Sequence, residues 1–123
     1  MAFSGSGGPS SGVVYENFSL SNYGPAAVPT SEATAFTVNR PTQVRSLRVM
    51  NPTAGSLDVT LYLVPSGGSA GAGNVLTLQT LATKTSAEIC VSGCPIVMEA
   101  GDSIHALGSG AGLLLFASIF TEK

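Results

Sequence analysis

Few residues in this chain could do chemistry. His105 is its one histidine, Cys90 and Cys94 are its only cysteines, and its carboxylates are scattered from Glu16 to Glu122. A lone imidazole cannot build the His-rich metal site of a cupin-type jelly-roll enzyme. As a general base it would need a partnered hydroxyl, and no serine sits on a strand-to-helix nucleophile elbow. Flanked by Ile104 and Ala106, His105 reads as a strand residue facing a partner or solvent. Cys90 and Cys94 enclose Val91-Ser-Gly93; they offer two metal ligands with no second pair, which argues against zinc. A hairpin turn at Ser92-Gly93 would set the thiols opposite each other, so a local disulfide stands as the alternative to two free, buried thiols. No two carboxylates are spaced for general acid–base work. The run Gly108-Ser-Gly-Ala-Gly112 lacks the spacing and following helix of a phosphate-binding loop. The expectation is a non-enzyme with no catalytic residue, cofactor or metal.

Two other groups of side chains bear on binding. Tyr15, Tyr23 and Tyr62, with Phe18 and Phe36, would form a carbohydrate platform if they were exposed together on one sheet face; rings of this kind more often serve a core or an interface. Arg40, Arg45 and Arg48 are the only basic cluster. On a regular strand Arg45 and Arg48 point to opposite faces, so they read as rim or inter-subunit ion-pair residues rather than a patch. With five basic residues and a net charge of −2, the chain has no stripe for neutralising phosphates, and nucleic acid is excluded as a partner.

The 123 residues support one domain and one core, and 44% hydrophobic residues suffice to fill it. Charged residues make up only 10%, against roughly a quarter in ordinary soluble proteins. So little charge protects a free monomer poorly against association, which favours a subunit that buries much of its surface, most simply a homo-oligomer (dimer or trimer). The N-terminus has neither the basic nor the apolar region of a signal peptide, so synthesis in a cytoplasm is expected. The uncharged C-terminal stretch is broken at Gly108–Gly112 and cannot be a membrane helix, and no membrane partner is expected.

The elements that must position these residues are short strands. Leu57, Val59, Leu61 and Leu63 alternate with Asp58, Thr60 and Tyr62, the period of a half-buried strand. Further strands are expected at Val13–Leu20, Ala33–Val38, Gln43–Met50, Val75–Leu81, Ser86–Val91, Ile96–Glu99, Ser103–Leu107 and Leu113–Phe120. Between them lie turn signals: a loop over Ser21–Ser31 with Tyr23-Gly-Pro25, turns at Asn39-Arg-Pro-Thr42 and Asn51-Pro-Thr-Ala-Gly55, and the long Pro65–Asn74 loop. In Glu99-Ala-Gly-Asp-Ser103, Gly101 is expected at positive φ and Asp102 bonded to nearby backbone amides. This pattern predicts an all-β, antiparallel, jelly-roll-like β-sandwich over residues 13–123. Residues 1–12, rich in Gly and Ser, form an arm: either a flexible tail or an extended segment that orders on a neighbouring subunit.

The run from Val49 through the turn at Asn51 and the strand Val59-Thr-Leu-Tyr-Leu-Val-Pro-Ser-Gly-Gly68 resembles a recurrent pattern in small virion proteins of tailed bacteriophages. The turn Val97-Met-Glu-Ala-Gly-Asp-Ser-Ile-His-Ala106 resembles their second signature, and the likeness spans about residues 33–120. It implies a structural protein of the particle: a capsid decoration (cement) protein on the capsid exterior that clamps neighbouring major capsid subunits. The contact residues expected on that reading are Phe3 and Pro9 of the arm, Arg40, Arg45 and Arg48, and Pro65, Ser66, Gly67, Gly68 and Asn74 of the long loop. A tail, neck or fibre-base protein, or a carbohydrate-binding module, are the alternatives.

Overall fold

The computed structural model describes residues 18–89 and 95–122. Nine strands follow one another: β1 (Phe18–Ala27), β2 (Ala33–Thr37), β3 (Thr42–Asn51), β4 (Leu57–Val64), β5 (Val75–Leu81), β6 (Thr85–Glu88), β7 (Ile96–Met98), β8 (Ser103–Gly108) and β9 (Leu114–Glu122). A short 3-10 turn at Ala72–Asn74 precedes β5. One sheet runs β1-β9-β3-β6, with β7 also on β3; the other runs β2-β8-β4-β5. All pairings are antiparallel. β6 pairs with the C-terminal half of β3 and β7 with its start, so the two act as one interrupted edge strand. Counted that way, the pairs β4–β5, β3–β6/β7, β2–β8 and β1–β9 nest inside one another, which is the winding of a jelly roll. The fold class read from the sequence is the one observed.

The core lies between the sheets. Val44, Leu47 and Val49 of β3 and Leu115 and Ala117 of β9 face Val59 and Leu61 of β4 and Ile104 and Ala106 of β8, with Met98 and Leu113 closing the ends. β4 matches the alternation over Val59 and Leu61, both fully buried, but Val64 rather than Leu63 is buried at its end. Leu63, paired with the buried Ile104, still packs against the core, so the two-residue period holds along β4; the register shift between Leu61 and Tyr62 comes from an extra residue, Leu76, in β5.

The expected loop at Ser21–Ser31 is mostly strand. β1 continues to Ala27 because Gly24 and Pro25, joined by a cis peptide bond, are accommodated at a register shift between Tyr23 and Ala26. Proline is tolerated there because β1 is an edge strand. Gly24 sits at φ +96°, and a Cβ on it would lie 2.2 Å from the Leu115 carbonyl oxygen, so only glycine lets the two strands stay paired. Of the expected Val13–Leu20 strand, residues 13–17 lie outside the described residues. β6 stops at Glu88, and residues 90–94, which include Cys90 and Cys94, are also outside them.

A buried amide ties the other end of the sandwich. Asn51 is 0% exposed. Its Nδ2 donates to the carbonyls of Gly55 and Leu81, each at 2.9 Å. Its Oδ1 accepts from the Thr53 amide at 3.0 Å and the Thr53 hydroxyl at 2.6 Å. The Asn51-Pro-Thr-Ala-Gly55 turn is thus closed on itself and bound to the end of β5.

Candidate functional site

One end of the sandwich gathers the starts of β1, β3, β5 and β8 and the ends of β2, β4 and β9. The turn carrying Arg40 and the Pro65–Asn74 loop both lie at this end, and both are exposed. Within the loop, the Gly68 amide donates to the Pro65 carbonyl at 2.9 Å and Gly67 has φ +79°, the signature of a type II turn. Asn74 donates its amide to the Gly71 carbonyl. Asp102 anchors the loop from below: its carboxylate accepts from the Ser66 amide at 3.0 Å and the Glu99 amide at 2.9 Å. Gly101, at φ +93°, makes the turn that brings Asp102 there. Both parts of the expectation for this turn hold. The described chain begins at Phe18 on the same end; Phe3 and Pro9 lie outside the described residues.

Arg45 and Arg48 are a correction. The pairing of β3 with β9 shifts between Val44 and Ser46. Arg45 is therefore an extra residue in the strand, and the two-residue period restarts after it. Val44 and Leu47 both point into the core while Arg45 and Arg48 are both exposed on the outer face of the five-stranded sheet. The two arginines differ in their partners. The Arg45 guanidinium lies 5.5 Å from the centre of the Phe120 ring, a cation–π contact. Arg48 Nε is 3.7 Å from Glu88 Oε1.

That outer face also carries a row of three apolar residues and one glutamine that sequence reasoning did not assemble. Leu20 pairs with Phe120, Phe120 with Gln43, and Gln43 with Val97. Directly paired residues share a face, so the row crosses the sheet from edge to edge. Leu20 is 70% exposed and Val97 62%. The nearest signal in the sequence was the apolar residue at positions 20, 97 and 120, but their alignment with Gln43 requires the strand order.

His105 is better connected than expected. On β8 it is half-buried and faces outward between Thr34 of β2 and Tyr62 of β4. Glu32, in the loop before β2, pairs with its Nδ1. Its Nε2 lies 3.1 Å from both the Thr34 hydroxyl and the Ser103 hydroxyl. Glu32 takes the Nδ1–H, and Nε2 meets both hydroxyls, which can donate or accept. A carboxylate, an imidazole and a hydroxyl in series are three parts of an acyl-transfer site. Ser103 is only 7% exposed and sits on a strand paired on both sides, whose amides serve the ladder, so its own strand supplies no oxyanion donors. The cluster latches the β1–β2 loop onto β8. Glu32 and His105 are 73 residues apart, and nothing local in the sequence joins them. Among the described residues no group of three His, Cys, Asp or Glu is placed to hold a metal.

The aromatic platform is not formed by the described tyrosines. Tyr62 points outward from the four-stranded sheet, whereas Tyr23 packs between the sheets against Phe36, ring centroids 4.8 Å apart. Tyr15 lies outside the described residues.

No family model matches the chain, and no curated protein sequence matches it. Among solved structures, a chain described with the words "Bacillus endospore appendages form a novel family of disulfide-linked pili" superposes with a TM-score of 0.47 and 16% identity, over 85% of this chain and 84% of that chain.

Proposed function

We propose that this protein is a non-enzymatic structural subunit that docks onto a repeating protein lattice, and that the lattice is the major capsid shell of a tailed bacteriophage. The observation that carries the docking is the exposed row Leu20–Phe120–Gln43–Val97 with Arg45 over Phe120. Leu20 and Val97 are exposed and Phe120 partly so, with Gln43 the one polar member of the row; exposed apolar side chains grouped among polar ones mark an interaction site. The Arg40 turn and the Pro65–Asn74 loop border the same end, so a neighbour gripping one would meet the others. The choice of partner comes from the resemblance of residues 33–120 to virion proteins. On that reading each copy bridges adjacent capsid subunits. Binding only the assembled shell stabilises it by linkage, and the repetition of contacts over the lattice adds avidity.

Sedimentation with emptied, undecorated capsids tests this. The protein should co-sediment with shells and bind free capsid subunits weakly, because a clamp needs two neighbours at the correct spacing. Leu20→Asp and Val97→Asp should keep the fold and weaken shell binding at least about tenfold each, the value of one buried apolar side chain. Deleting Ala2–Gly12 should leave the domain folded and weaken attachment, if the arm orders on the shell. Absence of co-sedimentation, with saturable binding to tails instead, would move the assignment to a tail, neck or fibre-base role.

A further inference from the structure

β1 and β2 are edge strands of opposite sheets, and between them the sandwich opens into a cleft of about 240 Å³. Its floor is Tyr23, Phe36 and Ile119. The two rings stand 4.8 Å apart at 44° and form an angled apolar wall. Around the rim are Asn22, Thr37, Asn39 and Thr121. Asn22 borders the cleft, but its Oδ1 accepts from the Ser118 hydroxyl at 3.1 Å on the outer face of the five-stranded sheet, opposite to Tyr23. Thr121 Oγ1 receives a weak 3.4 Å bond from Thr42. Among the described residues the side chains of Thr37 and Asn39 have no partner within the chain. No charged side chain lines the cleft.

We infer that this cleft binds a neutral pyranose unit of a glycan. Aromatic rings take the C–H face of a sugar ring, whose burial against apolar surface is favourable. Amides and threonine hydroxyls both donate and accept, which matches the mixed donor–acceptor character of sugar hydroxyls. The uncharged lining gives a phosphate or carboxylate ligand no counter-ion. A few convergent polar groups over an apolar floor is the usual make-up of a small-molecule site. The inference is independent of particle docking, since the cleft lies at the seam of the sandwich and the docking row lies on the sheet's outer face.

The test is an amide-resolved NMR titration of the full chain with cellotetraose and with tetra-N-acetylchitotetraose, using sialyllactose as the anionic comparator. At least one neutral glycan should give saturable shifts centred on Tyr23, Phe36 and Asn39, stronger than those from sialyllactose. Asn39→Ala, on the exposed rim and neutral for folding, should weaken that binding about fivefold, the value of one hydrogen bond. Phe36→Leu should weaken it further by removing the ring. No saturable shift with either neutral glycan, shifts confined to the sheets' outer faces, or equal affinity in Asn39→Ala and wild type would each overturn the assignment.

Discussion

Asn51 and His105 each gather several side-chain hydrogen bonds, yet their surroundings differ. Asn51 is sealed between β3, its own turn and the end of β5, and both ends of its amide are used. His105 lies on the outer face of β8, its side chain 16% exposed, with Glu32 and Thr34 on the water side. Water reaches the histidine's bonds to Glu32 and Thr34, whereas the asparagine's bond to Leu81 is closed to it. The net worth of a hydrogen bond is small where water replaces it and large where its loss strands a buried partner. The two clusters teach that burial, rather than the number of bonds, ranks the polar features of this sandwich.

That ranking can be broken by measurement. Asn51→Ala should cost roughly 2–4 kcal/mol, because it strands the buried Leu81 carbonyl, unties the turn from β5 and leaves a cavity at a fully buried site. Chemical unfolding would show it as a lower midpoint with an unchanged slope. Gly101→Val comes next, at roughly 1–3 kcal/mol from strain at positive φ; a Cβ there would also meet Ser66 Oγ at 2.5 Å. An unchanged melting temperature would contradict the turn's role. His105→Gln should cost about 1 kcal/mol or less, and leave shell binding nearly intact. A cost equal to that of Asn51→Ala would overturn the comparison. Arg48→Ala should fall within about 0.5 kcal/mol, since its pairing with Glu88 is exposed. Raising the salt concentration should leave the difference between Arg48→Ala and wild type small, which sharpens the contrast with the buried amide.

Much of the fold is legible in the chain because the strands speak for themselves. Leu57–Val64 and Val75–Leu81 lie where period-two patterning and turn residues place them. The Glu99–Ser103 turn was readable too, since a glycine and an aspartate at adjacent positions supply positive φ and a short acceptor. Less of the candidate surface was legible. Arg45 and Arg48 share a face only because β3 carries an extra residue opposite β9, and a bulge leaves no mark in hydrophobic period until the partner strand is known. Gly24-Pro25 looks like a turn in any sequence, yet here the edge position of β1 lets the strand run through it.

By itself the sequence determined the all-β class, the position of most strands, the scarcity of charge and the absence of a familiar catalytic motif. These follow from local properties: side-chain alternation, turn chemistry and composition. The tertiary structure alone decided the nested strand order, the row Leu20–Phe120–Gln43–Val97 across the five-stranded sheet, the cleft between β1 and β2, and the meeting of Glu32 with His105. Each joins residues far apart in the chain, and their encounter is set by which strands pair and in what register, a choice made by burial of the whole core rather than by any short segment.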